Sequence, residues 1–356
     1  MKRIVIVLLA MMCGSVRAEN ATTAPTPTTQ GRAFVLEAGG QPFIPWGFNY
    51  DRDYKMRLIE EYWETEWPTV ESDFKEMKKL GANVVRVHLQ FAKFMKGPGK
   101  PNENSLNQLK KLTKLAEETG LYLDLTGLAC YRLKDVPAWY DRMSEAQRWE
   151  QQVLFWGAVA EACKDSPAVL VYDLVNEPVI ADKKVDHWVD PHDLSGFTYV
   201  QFIARDPKGR KREEVARQWV RKMTAAIGKH DPGRMITVGM LPATGTGFDP
   251  KVLAKELSYI SVHIYPDAKK PNEAMDVLRQ FNVGKPVVIE EIFPLAAGAE
   301  QVGEFIKQSR QRRLAAGWIG FYWGQTPAEL RESKEIKDAF TLAWLESFEK
   351  LTAGMK

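Results

Sequence analysis

Two carboxylate-bearing stretches stand where apolar, strand-like runs stop. Residues 169–178, VLVYDLVNEP, end in Asn176-Glu177-Pro178. Residues 286–289 form a second apolar run that ends in Glu290-Glu291. A carboxylate at the C-terminal end of a sheet strand can face a cleft and exchange protons there. Read alone, Asn-Glu-Pro is also a solvated strand stop, because the residue before proline is pushed out of the helical region. The partner run gives the motif its meaning. Two carboxyl groups flanking one pit suit cleavage of a glycosidic bond. They stand about 5–5.5 Å apart when configuration is retained and ~6.5–9.5 Å apart when it is inverted.

Other polar residues also follow strand-like runs. Arg86 lies in ANVVRV and His88 comes two residues later; His263 and Tyr265 bracket Ile264, and Trp323 follows the run 317–322. Period-two alternation puts His263 and Tyr265 on one strand face. The same alternation places Glu290 and Glu291 on opposite faces, so only one of them should point into a common pit.

The elements that must position these groups alternate. Eight strand candidates end near Asn49, Arg86, Leu125, Val175, Gly239, His263, Glu290 and Trp323. Helical patterns separate them, as in 67–80, where Phe74, Met77 and Leu80 share a face before Gly81, and in 145–163 behind a Ser144 cap. Strands divided by helices imply a parallel sheet, and eight of them over some 300 residues fit an α/β (β/α)₈ TIM barrel. The rival is an open doubly wound sheet, but no Gly-x-Gly-x-x-Gly turn follows the first strand. A short hairpin is expected around Gly39-Gly40. The charged stretch 180–210, with Trp188, Phe197 and Tyr199, breaks the rhythm as an insertion after strand four, placed to form a lid or cleft wall.

Residues 1–18 read as a secretory signal: Lys2 and Arg3, a short apolar run, then Val16-Arg17-Ala18 before the expected cleavage. Residues 19–32, rich in Thr, Pro and Ala, read as a flexible tether, and 33–350 as a single catalytic domain. The expected location is secreted or periplasmic. Three of the 49 basic residues and none of the 46 acidic ones lie in the signal, so the remaining chain is charge-balanced and nucleic-acid binding is not indicated. No run is long enough for a membrane span. Cys130 and Cys163, the two cysteines after the signal, offer one disulfide or two separate buried thiols, and no zinc spacing is present. No cofactor and no metal are expected, and His88 and His263 are too scattered for a metal-dependent hydrolase.

In its motifs, over residues 34 to 345, the chain resembles the (β/α)₈ retaining glycosidases of the cellulase and β-mannanase type, glycoside hydrolase family 5. The resemblance rests on Asn176-Glu177-Pro178, on Lys285-Pro-Val-Val-Ile-Glu-Glu291, and on Arg86, His263-Ile-Tyr265 and Trp323 in that order and spacing. It implies Glu177 as acid/base and Glu291, rather than Glu290, as nucleophile. It also implies Arg86 and Tyr265 beside the nucleophile, Asn176 on the sugar 2-hydroxyl, His263 orienting the acid/base or the sugar, and Trp323 as the floor of the sugar site. One departure stands out. Thr126 occupies the place of a family histidine after strand three, and His88 offers a substitute imidazole. Trp46, Asp51 and Trp188 are further candidate substrate contacts. The implied protein is a monomeric O-glycosyl hydrolase acting on a β-linked oligo- or polysaccharide. Transglycosylation on the same machinery and a non-catalytic carbohydrate-binding barrel are the alternatives.

Overall fold

The computed structural model describes residues 26–355 apart from 193, 195 and 322. Eight parallel strands close on themselves: β1 (Trp46–Tyr50), β2 (Val84–Gln90), β3 (Tyr122–Ala129), β4 (Val169–Asn176), β5 (Met235–Met240), β6 (Ile260–His263), β7 (Val287–Ile292) and β8 (Gly317–Gly320). β8 pairs with β1 and β4 with β5, so the ring has no edge. The expected (β/α)₈ barrel is therefore the fold. The strands are buried on both faces, which explains their near-continuous apolar reading.

The outer ring is helical: α1 (Trp67–Lys79), α2 (Glu103–Thr119), α3 (Glu145–Cys163), α4 (Arg212–Gly228), α5 (Pro250–Leu253), α6 (Glu273–Phe281), α7 (Ala299–Gln311) and α8 (Ile336–Thr352). Local chemistry sets their ends. Asn102 caps α2, and Gly120 ends it in the left-handed region at φ 65°. Ser144 and Gln147 form a reciprocal capping box at α3. The apolar faces, such as Val70, Phe74 and Met77 of α1, pack against the outward strand residues in one continuous core.

Inside the barrel the side chains form layers. At the N-terminal end Val84, Val171, Met235, Val288 and Ile319 are apolar, and Phe34 and Phe43 of a preceding antiparallel sheet plug the opening. Above them the interior turns polar, with Arg86, Asp124, Asp173 and Glu290 all unexposed. The hairpin around Gly39-Gly40 is as expected, but the tether expected through Arg32 ends earlier. Pro27–Gln30 is a strand paired with Ala33–Leu36, because pairing satisfies its backbone groups. The signal expected over 1–18 lies outside the described residues. No described helix is long and apolar enough to cross a membrane. Cys130 and Cys163 are separate buried thiols.

The insertion after β4 begins with Pro178–Ile180, which pairs in parallel with Gln201–Ala204. Its middle is anchored by Trp188, whose indole N–H donates to the Asp141 carbonyl at 3.1 Å and whose ring carries the guanidinium groups of Arg148 and Arg205 over it at 4.4 and 4.2 Å.

Candidate active site

The polar groups gather where the interior meets the C-terminal ends of the strands. Arg86, rising from β2, is the hub. Its Nη1 donates to Glu291 Oε1 at 2.8 Å and to Asn49 Oδ1 at 2.9 Å; its Nη2 donates to Asp173 Oδ2 at 2.7 Å and to Asn176 Oδ1 at 2.9 Å. Such a fan needs open space across the barrel. Gly239 of β5 supplies it: a Cβ there would stand 2.8 Å from Arg86 Nη2 and 2.9 Å from His263 Nε2.

Two backbone irregularities aim the carboxylates. Glu177 lies just past β4 with φ 47°, the left-handed region that a non-glycine residue rarely adopts, and its N–H donates to the Gly239 carbonyl at 2.8 Å. On β7 a bulge intervenes. Val262 faces Ile289, but the next residue of β6, His263, faces Glu291. The skipped residue is Glu290. Strict alternation therefore fails, and both glutamates reach Arg86: Glu290 Oε2 at 3.7 Å from Nε and Glu291 Oε1 at 2.8 Å from Nη1. Glu290 lies deeper, accepting from the Tyr259 hydroxyl at 2.8 Å, while Glu291 faces the pit.

Glu177, His263 and Glu291 converge, with one oxygen or nitrogen of each within 4.8 Å of the others. His263 Nδ1 sits 2.9 Å from Glu177 Oε1 and 3.5 Å from Glu291 Oε2. Tyr265 donates its hydroxyl to Glu291 Oε2 at 2.6 Å. The triad has the donor types of a metal site, yet each member already has a hydrogen-bonding partner in the protein. Burial alone would raise the Glu291 carboxyl, but His263, Arg86 and the Tyr265 hydroxyl together outweigh it and hold Glu291 below its ordinary range. Burial likewise pulls His263 down, and the adjoining Glu291 and Glu177 reverse that to a net rise. Asp124 is pushed well up by burial and by Glu290 and Asp173.

The remaining sequence candidates divide. His88 is buried, paired with the Tyr131 hydroxyl through Nδ1 and 3.0 Å from Asn49 Oδ1 through Nε2. It braces Asn49, which in turn accepts from Arg86. Thr126 turns inward, but donates to Asp173 Oδ2 at 2.9 Å. Asp51 lies beside the pit and accepts from Arg52 Nη1 at 2.8 Å. Trp46 is not a substrate contact: its ring stacks on Phe348 at 4.1 Å and its N–H donates to Thr352, outside the barrel wall. Trp188 is the anchor described above. Trp323 is not the floor of the pit either. It is 1% exposed and packs beside Phe48, on the outward face of β1, because the chain leaves β8 after Gly320. The ring at the pit is Phe321, 6.3 Å from that of Tyr265.

Asn49, Asp173, Tyr131, Arg52 and Phe321 were missed in the sequence. Asp173, a lone charge inside an apolar strand run, was the signal available for one of them.

A (β/α)₈ barrel with two carboxylates meeting at its C-terminal mouth defines a class of glycosidase-like proteins. The chain belongs to glycosyl hydrolase family 5: the family's cellulase model matches residues 36–324. Similar solved structures include an exo-β-1,4-mannosidase from Opitutaceae bacterium strain TAV5 (TM-score 0.69, 18% identity), for which the match covers 92% of this chain but 62% of that one. A β-mannanase from the blue mussel Mytilus edulis gives a TM-score of 0.57 at 18% identity, covering 93% and 97% of the two chains. A β-glucanase from Saccharophagus degradans gives 0.59 at 16%, covering 94% and 95%. At such identities the likeness concerns the fold. No curated protein matches the chain significantly.

Proposed function

We propose that the protein is a retaining β-glycosidase in which Glu291 is the nucleophile and Glu177 the acid/base. The approach of the two carboxylates within 4.8 Å carries this reading, because it suits double displacement better than the wider gap that admits a water on the opposite face. Arg86 and Tyr265 keep Glu291 ionised and aimed. Glu291 attacks the anomeric carbon while Glu177 protonates the departing glycosidic oxygen. Water, deprotonated by Glu177, then releases the sugar from Glu291. Asn176, which accepts from Arg86, would meet the sugar 2-hydroxyl. The substrate class favoured is β-linked mannose or glucose chains, because the structural neighbours include an exo-β-1,4-mannosidase, a β-mannanase and a β-glucanase. The leader read over residues 1–18 supports export of this activity.

The test is trapping with a 2-deoxy-2-fluoro glycoside. The native enzyme should accumulate a covalent adduct at Glu291, and Glu291→Ala should form none and lose turnover. Glu177→Ala should lose about 10²–10⁴-fold on substrates with poor leaving groups. Full turnover in Glu291→Ala, or labelling of another residue, sinks the assignment.

A further inference from the structure

We propose that the insertion after β4 closes the glycone end of the pit, so that the enzyme releases single sugars from the non-reducing ends of its substrates. This rests on the retaining-glycosidase reading. Chemistry fixes the two ends. The leaving group departs on the side of the acid, Glu177, whose neighbours are Gly239 of β5 and His263 of β6. The sugar that becomes bonded to Glu291 must extend the other way, toward the exits of β8, β1, β2 and β3.

The insertion crosses that half of the rim. It is rooted at β4, yet its stretch 197–199 reaches across the mouth. The Thr198 N–H donates to the carbonyl of Tyr131, past the end of β3, at 2.7 Å. The Tyr199 ring meets the Tyr131 ring edge-on at 4.9 Å. The Tyr199 hydroxyl then accepts from Nη1 of Arg52, just past β1, at 2.7 Å. The Arg52 guanidinium lies over the Phe197 ring at 5.1 Å and over the Phe321 ring, past β8, at 5.4 Å. Among the described residues, this segment is tied to the exits of β3, β1 and β8 and so walls that side of the mouth. Phe197 is 2% and Arg52 7% exposed, and Tyr199 is half-buried against them.

The wall stands close to the reacting centre. Phe321 lies 6.3 Å from both Tyr199 and Tyr265, and Tyr265 is bonded to the nucleophile. The wall thus meets the pit one ring contact away from the nucleophile's own partner, and the space beyond Glu291 would then hold a single pyranose ring. The carboxylates agree in degree: the Glu177 side chain is 14% exposed and that of Glu291 6%, so solvent reaches the acid more readily than the nucleophile.

The experiment uses the full chain with β-1,4-mannopentaose and cellopentaose, each labelled at the reducing end with a fluorescent amine. Early in the reaction, the labelled products should shorten by one residue at a time, with free monosaccharide as the sole unlabelled product. Immediate labelled mono- or disaccharides would mean internal cleavage and overturn the inference, while leaving the retaining chemistry standing. Failure to cleave either pentaose or any aryl β-glycoside would instead remove the reading beneath it. Tyr199→Ala should open the wall and add di- and trisaccharides to the unlabelled products. Tyr199→Phe, which keeps the ring and loses only the bond to Arg52, should shift the ratio less. Monosaccharide alone from Tyr199→Ala would overturn the assignment of the wall to this segment.

Discussion

Glu291 must be a charged nucleophile in a buried place, and three neighbours make that possible. Burial opposes its ionisation; His263, Arg86 and Tyr265 restore it. Of these, Tyr265 can be tested most cleanly, because Tyr265→Phe deletes one hydroxyl and leaves the ring against Phe321. Loss of a hydrogen bond to the charged form raises a carboxyl pKa. The acid limb of the kcat/KM profile, set by the requirement for ionised Glu291, should therefore move to higher pH. Activity above that limb should fall less than activity within it. An unmoved acid limb would mean that the hydroxyl does not stabilise the carboxylate. The neighbouring Arg86 is no substitute target, since its removal would strand Asp173 and Glu290 as well as Glu291 in the interior.

The strands deliver these residues only because they depart from regularity. The bulge at Glu290 turns two successive glutamates inward, and the left-handed backbone of Glu177 swings its side chain over the pit. Gly239 plays the complementary part by leaving out a side chain. Gly239→Ala should force Arg86 or His263 to move, costing about 1–3 kcal/mol by overpacking and lowering kcat more than tenfold, as chemical denaturation and initial rates would show. Wild-type kcat in that variant would mean the fan of Arg86 tolerates displacement. These departures also set what could be read from the chain. The eight strands, most helices, and the convergence of Glu177, Glu291, Arg86, His263 and Tyr265 were legible, because they follow period and order. The inward turn of Glu290 was not, since a bulge breaks the period on which the reading relied. Trp323 misled for a similar reason: the chain leaves β8 at Gly320, so strand parity no longer governs the ring. Trp46 faced the helices, where its indole serves packing. The wall contacts of Tyr199 with Arg52 and Tyr131 join distant stretches, and no local pattern announces them.

Across the whole molecule the barrel interior is a graded solvent: apolar at the plugged end, ionic in the middle, open at the mouth. The middle is overloaded with acid. Asp124, Asp173, Glu290 and Glu291 all bear electrostatically on the single guanidinium of Arg86. Burial and mutual repulsion raise Asp124 and Glu290, so the folded barrel retains a proton there that the unfolded chain would release. The sign follows from linkage. Between the ordinary carboxylate value and the raised folded value, the native state binds more protons than the unfolded state, so stability falls as pH rises. His263, also raised, acts in the same direction over its own window, whereas Glu291, depressed, gives stability that is lost as pH falls through its folded value. Asp124→Asn isolates one contribution. It removes a carboxyl that must otherwise hold a proton or a buried charge, with nearly the same volume. Urea unfolding from pH 5 to pH 8 should show a shallower decline for Asp124→Asn than for the native protein, and the variant should gain most at the alkaline end. Parallel pH profiles for the two proteins would mean that Asp124 holds the same charge folded and unfolded. The excess acid beneath the site would then have to be relieved at Glu290, where Tyr259 is the nearest proton donor.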